Sequence, residues 1–245
     1  EPTAERLGDL RERVRAGPAD LGVANDGDAD RVAVVTPERG VLDASLFLAT
    51  VYEFLLGGHD GPVVRTVSTS SIVDRVADAH GELVYETPVG FKHVAAKMGE
   101  TDALFGGEES GGYGVRGHVR NKDGVLVALL AAAAAVQRPL DDRVAAIEAE
   151  HGAVHQDRAS VDCPDDRKRA VLADIEAELG EELAGERVER VNDVDGFKVF
   201  LADGTWLLVR PSGTEPKLRV YAEATSEGRV EELLAAGRRL VEPLV

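Results

Sequence analysis

The chain has 245 residues, 44% hydrophobic and 4% aromatic, with 28 Lys plus Arg against 45 Asp plus Glu and a net charge of −17. That is apolar material for one large core or two ordinary ones, and it excludes a globally disordered chain. So acidic a surface repels nucleic-acid backbones, and the longest apolar run, Val125 to Val136, falls short of the roughly 20 residues that cross a bilayer, so neither nucleic acid nor membrane is expected as a partner.

Residues Pro2 to Ala16 read as a polar helix ending near Gly17-Pro18. Leu21 to Ala24 and Val32 to Val35 read as strands around a tight acidic loop. Asp43 is placed to cap a helix from Ala44 to Leu56 that stops at Gly57-Gly58. A strand at Val63 to Val67, a helix capped by Ser70 or Ser71 and closed by Gly81, and a strand at Leu83 to Tyr85 follow. Next come a helix through Met98, a short strand at Ala103 to Phe105, a Gly-rich loop over 106–117, and one long Ala/Leu helix after Asp123-Gly124. Beyond about residue 152 the pattern changes. Ala159 to Val161, Gly196 to Leu201, Trp206 to Arg210 and Leu218 to Ala224 read as strands, with helices over Arg167 to Leu183 and from Arg229, and Asp203-Gly204 signals a hairpin. The fold class expected is α/β: a mainly parallel mixed-sheet domain plus a smaller α+β C-terminal domain.

Cys163 is the only cysteine and no signal peptide is visible, which together suit a reducing, cytoplasmic setting. Only Lys92, Lys97, Lys122, Lys168, Lys198 and Lys217 are lysines; carboxylate-rich and lysine-poor, the surface suits a halophilic, salt-rich cytoplasm where self-repulsion is screened.

Three loops carry chemistry. In Asn25-Asp26-Gly27-Asp28-Ala29-Asp30-Arg31 the carboxylates Asp26, Asp28 and Asp30 alternate. On extended backbone they would converge on one hard cation, Mg²⁺ by preference, with Arg31 as a fixed charge beside it. An acidic surface turn is the plainer alternative. In the Gly-rich stretch 106–114, Glu108 and Ser110 are two apart and could face the same way to hold the neighbouring hydroxyls of a sugar; a flexible Gly-rich turn is the plainer alternative. In Arg210 to Arg219 the two arginines could converge with the hydroxyls of Ser212 and Thr214 and a backbone turn at Gly213 into an anion nest for phosphate; a plain hairpin loop is the alternative. Lys92 and Lys122 stand out because lysine is scarce.

Taken in order, these segments resemble the α-D-phosphohexomutases: phosphoglucomutase, phosphomannomutase and phosphoglucosamine mutase. The matching pieces are Asp26 to Arg31, Thr87-Pro-Val-Gly-Phe-Lys92, Gly107-Glu-Glu-Ser-Gly111, Lys122-Asp-Gly124 and Arg210-Pro-Ser-Gly-Thr-Glu-Pro216. The Gly-Glu-Glu-Ser-Gly and Gly-Phe-Lys variants look closer to the glucose and mannose enzymes than to the glucosamine branch. The resemblance implies four domains around a cleft. Residues 1–41 would be the end of the second with its metal loop, 42–152 the sugar-binding third, and 153–245 the phosphate-binding fourth. It implies a hexose phosphate substrate, Mg²⁺ on Asp26, Asp28 and Asp30, and catalytic roles for Arg31, Lys92 and Lys122. Glu108 and Ser110 would hold the sugar, and Arg210, Ser212, Gly213, Thr214 and Arg219 the idle phosphate. The family's phosphoserine loop, Thr-Ala-Ser-His-Asn-Pro, has no counterpart here; residues 66–71 are serine-rich but lack the His-Asn-Pro. The chain therefore resembles the C-terminal half of a mutase, which needs an N-terminal half in cis or in trans for turnover. A haloacid-dehalogenase-like phosphatase built on Asp28 and Asp30, and a non-catalytic sugar-phosphate-binding protein, are the alternatives.

Overall fold

The computed structural model describes residues 2–245 and falls into two compact units, the first running to Gly152 and the second from Ala153. The first unit begins with α1 (Gly8–Ala16), shorter than expected because the residues before it form turns and no side chain caps it. An antiparallel sheet follows, in the order β1 (Gly22–Asn25), β2 (Val32–Thr36) and β3 (Gly40–Val41). Then α2 (Ala44–Leu56) starts where Asp43 accepts the Ser45 and Leu46 N–H groups, two donors the helix cannot satisfy itself, each at 2.9 Å.

The second sheet of this unit orders as β5-β4-β6-β7, built from β4 (Val63–Thr66), β5 (Val84–Thr87), β6 (Phe105–Gly107) and β7 (Tyr113–Val115). The β4–β5 and β4–β6 pairings are parallel, and β6–β7 is antiparallel. Parallel neighbours need crossovers, which α3 (Ile72–Ala79) and α4 (Phe91–Thr101) supply. The strand ends Thr66, Thr87 and Gly107 therefore open onto loops at the carboxyl edge of the sheet, where such folds bind ligands. Strand β7 lies inside the stretch read as loop. Its glycine has no strand preference, and pairing with β6 decides it: Tyr113 stacks on Phe105, meets Phe47 edge-on, and donates its hydroxyl to the Ala44 carbonyl at 2.8 Å. The expected single long helix is two, α5 (Gly124–Gln137) and α6 (Leu140–His151), bent by 83°. Pro139 has no N–H to continue the ladder and Arg138 before it is extended. No single helix among the described residues is long and apolar enough to cross a membrane.

The second unit is one six-stranded antiparallel sheet in the order β8-β13-β12-β11-β10-β9. Its strands are β8 (His155–Asp162), β9 (Glu182–Leu183), β10 (Glu186–Asn192), β11 (Phe197–Leu201), β12 (Trp206–Pro211) and β13 (Lys217–Ala224). Alternate residues such as Val199, Leu207, Val209, Val220 and Ala222 share one core with Val171 and Ile175 of α7 (Lys168–Glu178) and Val230 and Leu233 of α8 (Glu227–Val241). Helix α7 was expected to reach Leu183 but stops at Glu178, and β9 and β10 take up the following residues. Between them Ala184 and Gly185 both have positive φ, 52° and 81°, the geometry of a two-residue hairpin turn whose handedness matches strand twist. The Asp203-Gly204 turn joins β11 to β12, with the Asp203 carboxylate accepting from the Thr205 N–H and hydroxyl.

Candidate functional site

In the first unit the acidic loop is a tight turn and not extended backbone. The Ala29 N–H donates to the Asp26 carbonyl at 3.1 Å and Ala29 sits at φ 58°. This corrects the alternating geometry expected for Asp26, Asp28 and Asp30. Two residues apart places side chains on one side only in a strand. Here Asp26 and Asp30 fall within interaction reach of each other, while Asp28 is exposed at the turn. Among the described residues no three carboxylates, imidazoles or thiolates are gathered into a metal-holding cluster.

Arg31 lies against the pair, its Nε 3.6 Å from the Asp26 carboxylate and 4.0 Å from that of Asp30. The Lys122 ammonium is 2.9 Å from Asp30. Burial pushes the Asp26 carboxyl up, but the Arg31 N–H and guanidinium outweigh it and hold the group below its ordinary value. A pair of hard oxygen donors on a turn fits Mg²⁺, which uses one or two protein carboxylates and fills its remaining positions with water and phosphate oxygens.

The Gly-rich segment is tied directly to this turn. Arg31 and Gly112 form an antiparallel bridge, and the Val32 N–H donates to the Gly111 carbonyl at 2.9 Å. Asn25 closes the turn by donating its amide to the Arg31 carbonyl at 2.8 Å. Gly124 then presses against the same point: a Cβ there would stand 2.5 Å from the Arg31 carbonyl oxygen and from the Asn25 amide nitrogen, so only glycine fits. Asp123 caps α5 by accepting the Leu126 N–H at 2.8 Å and also bonds His118, which fixes the start of the helix that follows Lys122.

Glu108, at the carboxyl end of β6, is only 5% exposed and accepts the Gly90 N–H at 2.8 Å. Gly90 has φ 120°, a conformation side-chain-bearing residues avoid, and this aims its N–H at the carboxylate. Burial raises the Glu108 carboxyl above its ordinary value; the Gly90 N–H opposes this, Glu109 adds to it, and Lys122 and Arg31 oppose it. The group gives up its proton less readily in the folded chain than in the unfolded one. Ionised Glu108 therefore detracts from stability above the ordinary carboxylate range, and the penalty disappears as pH falls through the raised value. Glu108→Gln keeps an acceptor for Gly90 and removes the buried charge. At pH 7 its melting temperature is expected above that of the wild type, with the gap closing as pH is lowered in parallel thermal melts; equal melting at pH 7 would count against this account.

Asp26, Asp30, Arg31, Glu108 and Lys122 are thus drawn into one network of contacts and charge interactions. Ser110 and Lys92 stand exposed on the neighbouring loop and on the first turn of α4. Sequence reasoning missed Glu109, which accepts from the Thr66 hydroxyl at 3.1 Å and so ties the loop to a buried hydroxyl cluster of Thr66, Ser68 and Thr69. The serine-rich run at 66–71 was the only hint of it.

In the second unit, loop 212–216 joins β12 to β13. Arg210 and Arg219 are direct partners across the two strands, an arrangement that is repulsive unless screened. Asp195 screens Arg210, at 3.2 Å from Nε and 3.1 Å from Nη2, and Glu215 screens Arg219 at 2.9 Å. Ser212 is buried, whereas Gly213 and Thr214 at the tip are exposed. Asp195 and Lys168, both in contact with this loop or its arginines, were not singled out by the sequence; the scarcity of lysine could have flagged the second.

Residues 43–150 match the family model described as "Phosphoglucomutase/phosphomannomutase, alpha/beta/alpha domain III", and residues 159–240 match "Phosphoglucomutase/phosphomannomutase, C-terminal domain". The chain belongs to the α-D-phosphohexomutase family. A Methanopyrus kandleri protein named "Probable phosphoglucosamine mutase" is 40% identical over 95% of this chain and 50% of its own length. A Thermococcus kodakarensis phosphoglucomutase/phosphomannomutase is 33% identical over 99% and 51%. Among solved structures, a candidate phosphomannomutase from Thermus thermophilus aligns with a TM-score of 0.79 at 33% identity, covering 99% of this chain and 51% of that one. The chain spans about half the length of the relatives it matches. A further relative from Thermococcus kodakarensis, 33% identical, is named phosphopentomutase, so these names single out no sugar and lend no support to placing the chain away from the glucosamine branch.

Proposed function

We propose that this chain is the C-terminal half of a hexose-phosphate mutase, which moves a phosphoryl group between C1 and C6 of the sugar when joined, in cis or in trans, by an N-terminal half carrying a phosphoserine. The observation that carries this reading is the meeting of Asp26, Asp30, Arg31, Glu108 and Lys122 within one unit, at the carboxyl end of the parallel strands of its mixed sheet.

Asp26 and Asp30 would hold Mg²⁺, with Asp28 exposed at the same turn, and the ion when bound supplies positive charge to the transferring phosphoryl oxygens. Arg31 presents a fixed cation beside those carboxylates, and the Lys122 ammonium balances charge on Asp30. Glu108 accepts hydrogen bonds from sugar hydroxyls with its second oxygen, the first being held by Gly90, and Ser110 adds a hydroxyl that both donates and accepts. Lys92, on an exposed first turn, contributes positive charge at the rim. In the second unit Arg210, Ser212, Gly213, Thr214 and Arg219 hold the phosphate that is not reacting. The same acidic surface would operate in a salt-rich cytoplasm.

The test is reconstitution. The chain, mixed with a separately produced N-terminal half in molar KCl and Mg²⁺, is expected to interconvert glucose, mannose or glucosamine 1- and 6-phosphates, while neither half does so alone. Stable association of the halves without conversion of any hexose phosphate would sink the proposal, and hexose phosphate binding without turnover would favour a non-catalytic binding role.

A further inference from the structure

Under the loop 212–216 lies Lys168, 8% exposed, with its ammonium 2.7 Å from the Ser212 carbonyl, 2.6 Å from the Glu215 carbonyl and 2.5 Å from the Asp165 carboxylate. An ammonium has three donors, and all three are used. Lys168 is also the first residue of α7, where the helix dipole disfavours a cation, so its placement works against the helix and in favour of the loop. The two carbonyls it gathers flank the loop tip. The Ser212 N–H closes the loop on the Lys217 carbonyl at 2.9 Å, and the Thr214 N–H reaches the Ser212 hydroxyl at 3.5 Å. The N–H groups of Gly213 and Glu215 donate to no group among the described residues.

We infer that Lys168 is a positioning residue for phosphate: by drawing the Ser212 carbonyl to its own side it turns the Gly213 N–H of the same peptide plane the other way, into a preformed anion nest, and by holding the Glu215 carbonyl, whose peptide partner Pro216 has no N–H, it pins the far end of the loop. Lys168 does not touch the ligand. It fixes the Ser212–Gly213 peptide plane, whose N–H does, and it places a buried positive charge beneath the tip. A nest built this way presents donors without reorganising when an anion arrives, which is where preorganised sites gain affinity. Asp165 keeps the ammonium from drifting toward the phosphate itself. The inference rests on the proposed phosphate-holding role of this loop and adds the group that shapes it.

Inorganic phosphate is titrated into the 245-residue chain while the amide resonances of Gly213, Thr214 and Glu215 are followed. Lys168→Met is expected to weaken phosphate binding about tenfold or more, the scale of a charge-assisted hydrogen bond, and to displace the three tip resonances before any phosphate is added. Lys168→Arg, which restores the charge and the donors, is expected to recover most of the affinity; a residue needed only for folding would show no such link between loop amides and anion binding. Wild-type affinity in folded Lys168→Met overturns the inference alone. Should that variant not fold, Asp165→Asn decides, because Asp165 is exposed and its loss loosens one anchor of the lysine: a weakening of roughly two- to fivefold supports the inference, and unchanged binding overturns it. A wild-type chain that binds no phosphate removes the phosphate reading of the loop and this inference with it.

Discussion

Arg65→Ala is expected to lower the stability of the first unit by about 3 kcal/mol. Arg65 lies in the central strand β4 with its side chain 6% exposed. Its guanidinium forms a fork with Asp74 of α3, Nε to Oδ1 at 2.5 Å and Nη2 to Oδ2 at 2.6 Å, and a third contact to Glu86 of β5. Burial pulls the guanidinium toward losing its proton, but the two carboxylates outweigh that and hold it charged. Removing the arginine takes its cation away from both carboxylates. Both keep some contact with water, at 32% and 18% exposure, so the cost falls at the lower end of the range for a broken buried pair. For a unit of this size the melting temperature should fall by about 6–12 °C, read by calorimetry at neutral pH. Neutralising both partners together, Asp74→Asn with Glu86→Gln, should recover part of the loss in the Arg65→Ala background. A change below about 1 kcal/mol would show that the pair is solvated and holds nothing.

Arg210→Ala should weaken binding of a hexose phosphate by about 2–5 kcal/mol, or roughly thirtyfold to several-thousandfold, if the second unit holds phosphate as proposed. The opposed Arg210 and Arg219 are at present neutralised by internal carboxylates. A phosphate dianion can bridge both guanidinium forks at once, which a single internal carboxylate does not do here. Calorimetric titration of glucose 1-phosphate into the wild-type and variant chains checks this, with the melting temperature recorded alongside, since Asp195 loses its contact with Arg210. Unchanged affinity would take the phosphate away from this loop. The difference between the wild-type and variant affinities isolates what Arg210 of the second unit contributes.

Local rules carried much of the fold. Asp43 caps α2 as expected because an aspartate before an apolar helical run satisfies the first N–H groups wherever the helix finally packs. The strands at Val63, Phe197 and Trp206 were legible from β-branched and aromatic runs between turn residues. The segments carrying the candidate site were legible too, because carboxylates in a short Gly-Ala frame, a run of glycines and a loop between two arginines, each alone compatible with an ordinary turn, together and in that order resemble one family.

Other features depended on partners distant in sequence. Strand β7 exists because Gly106 and Gly114 pair across the sheet, and no glycine pattern announces that. Helix α7 yields to the β9–β10 hairpin because a turn with two positive φ values outcompetes one more helical turn. The acidic loop coils into a turn, where alternation suggested an extended strand, because Asn25, Gly111 and Gly124 clamp it from three sides. Residue types and their spacing thus determined which chemistry this chain can offer. Which of those groups touch, which are buried, and that a lysine from a helix start underlies the arginine-flanked loop were decided only by tertiary packing, since a short polar segment has no preferred shape until its neighbours satisfy its backbone.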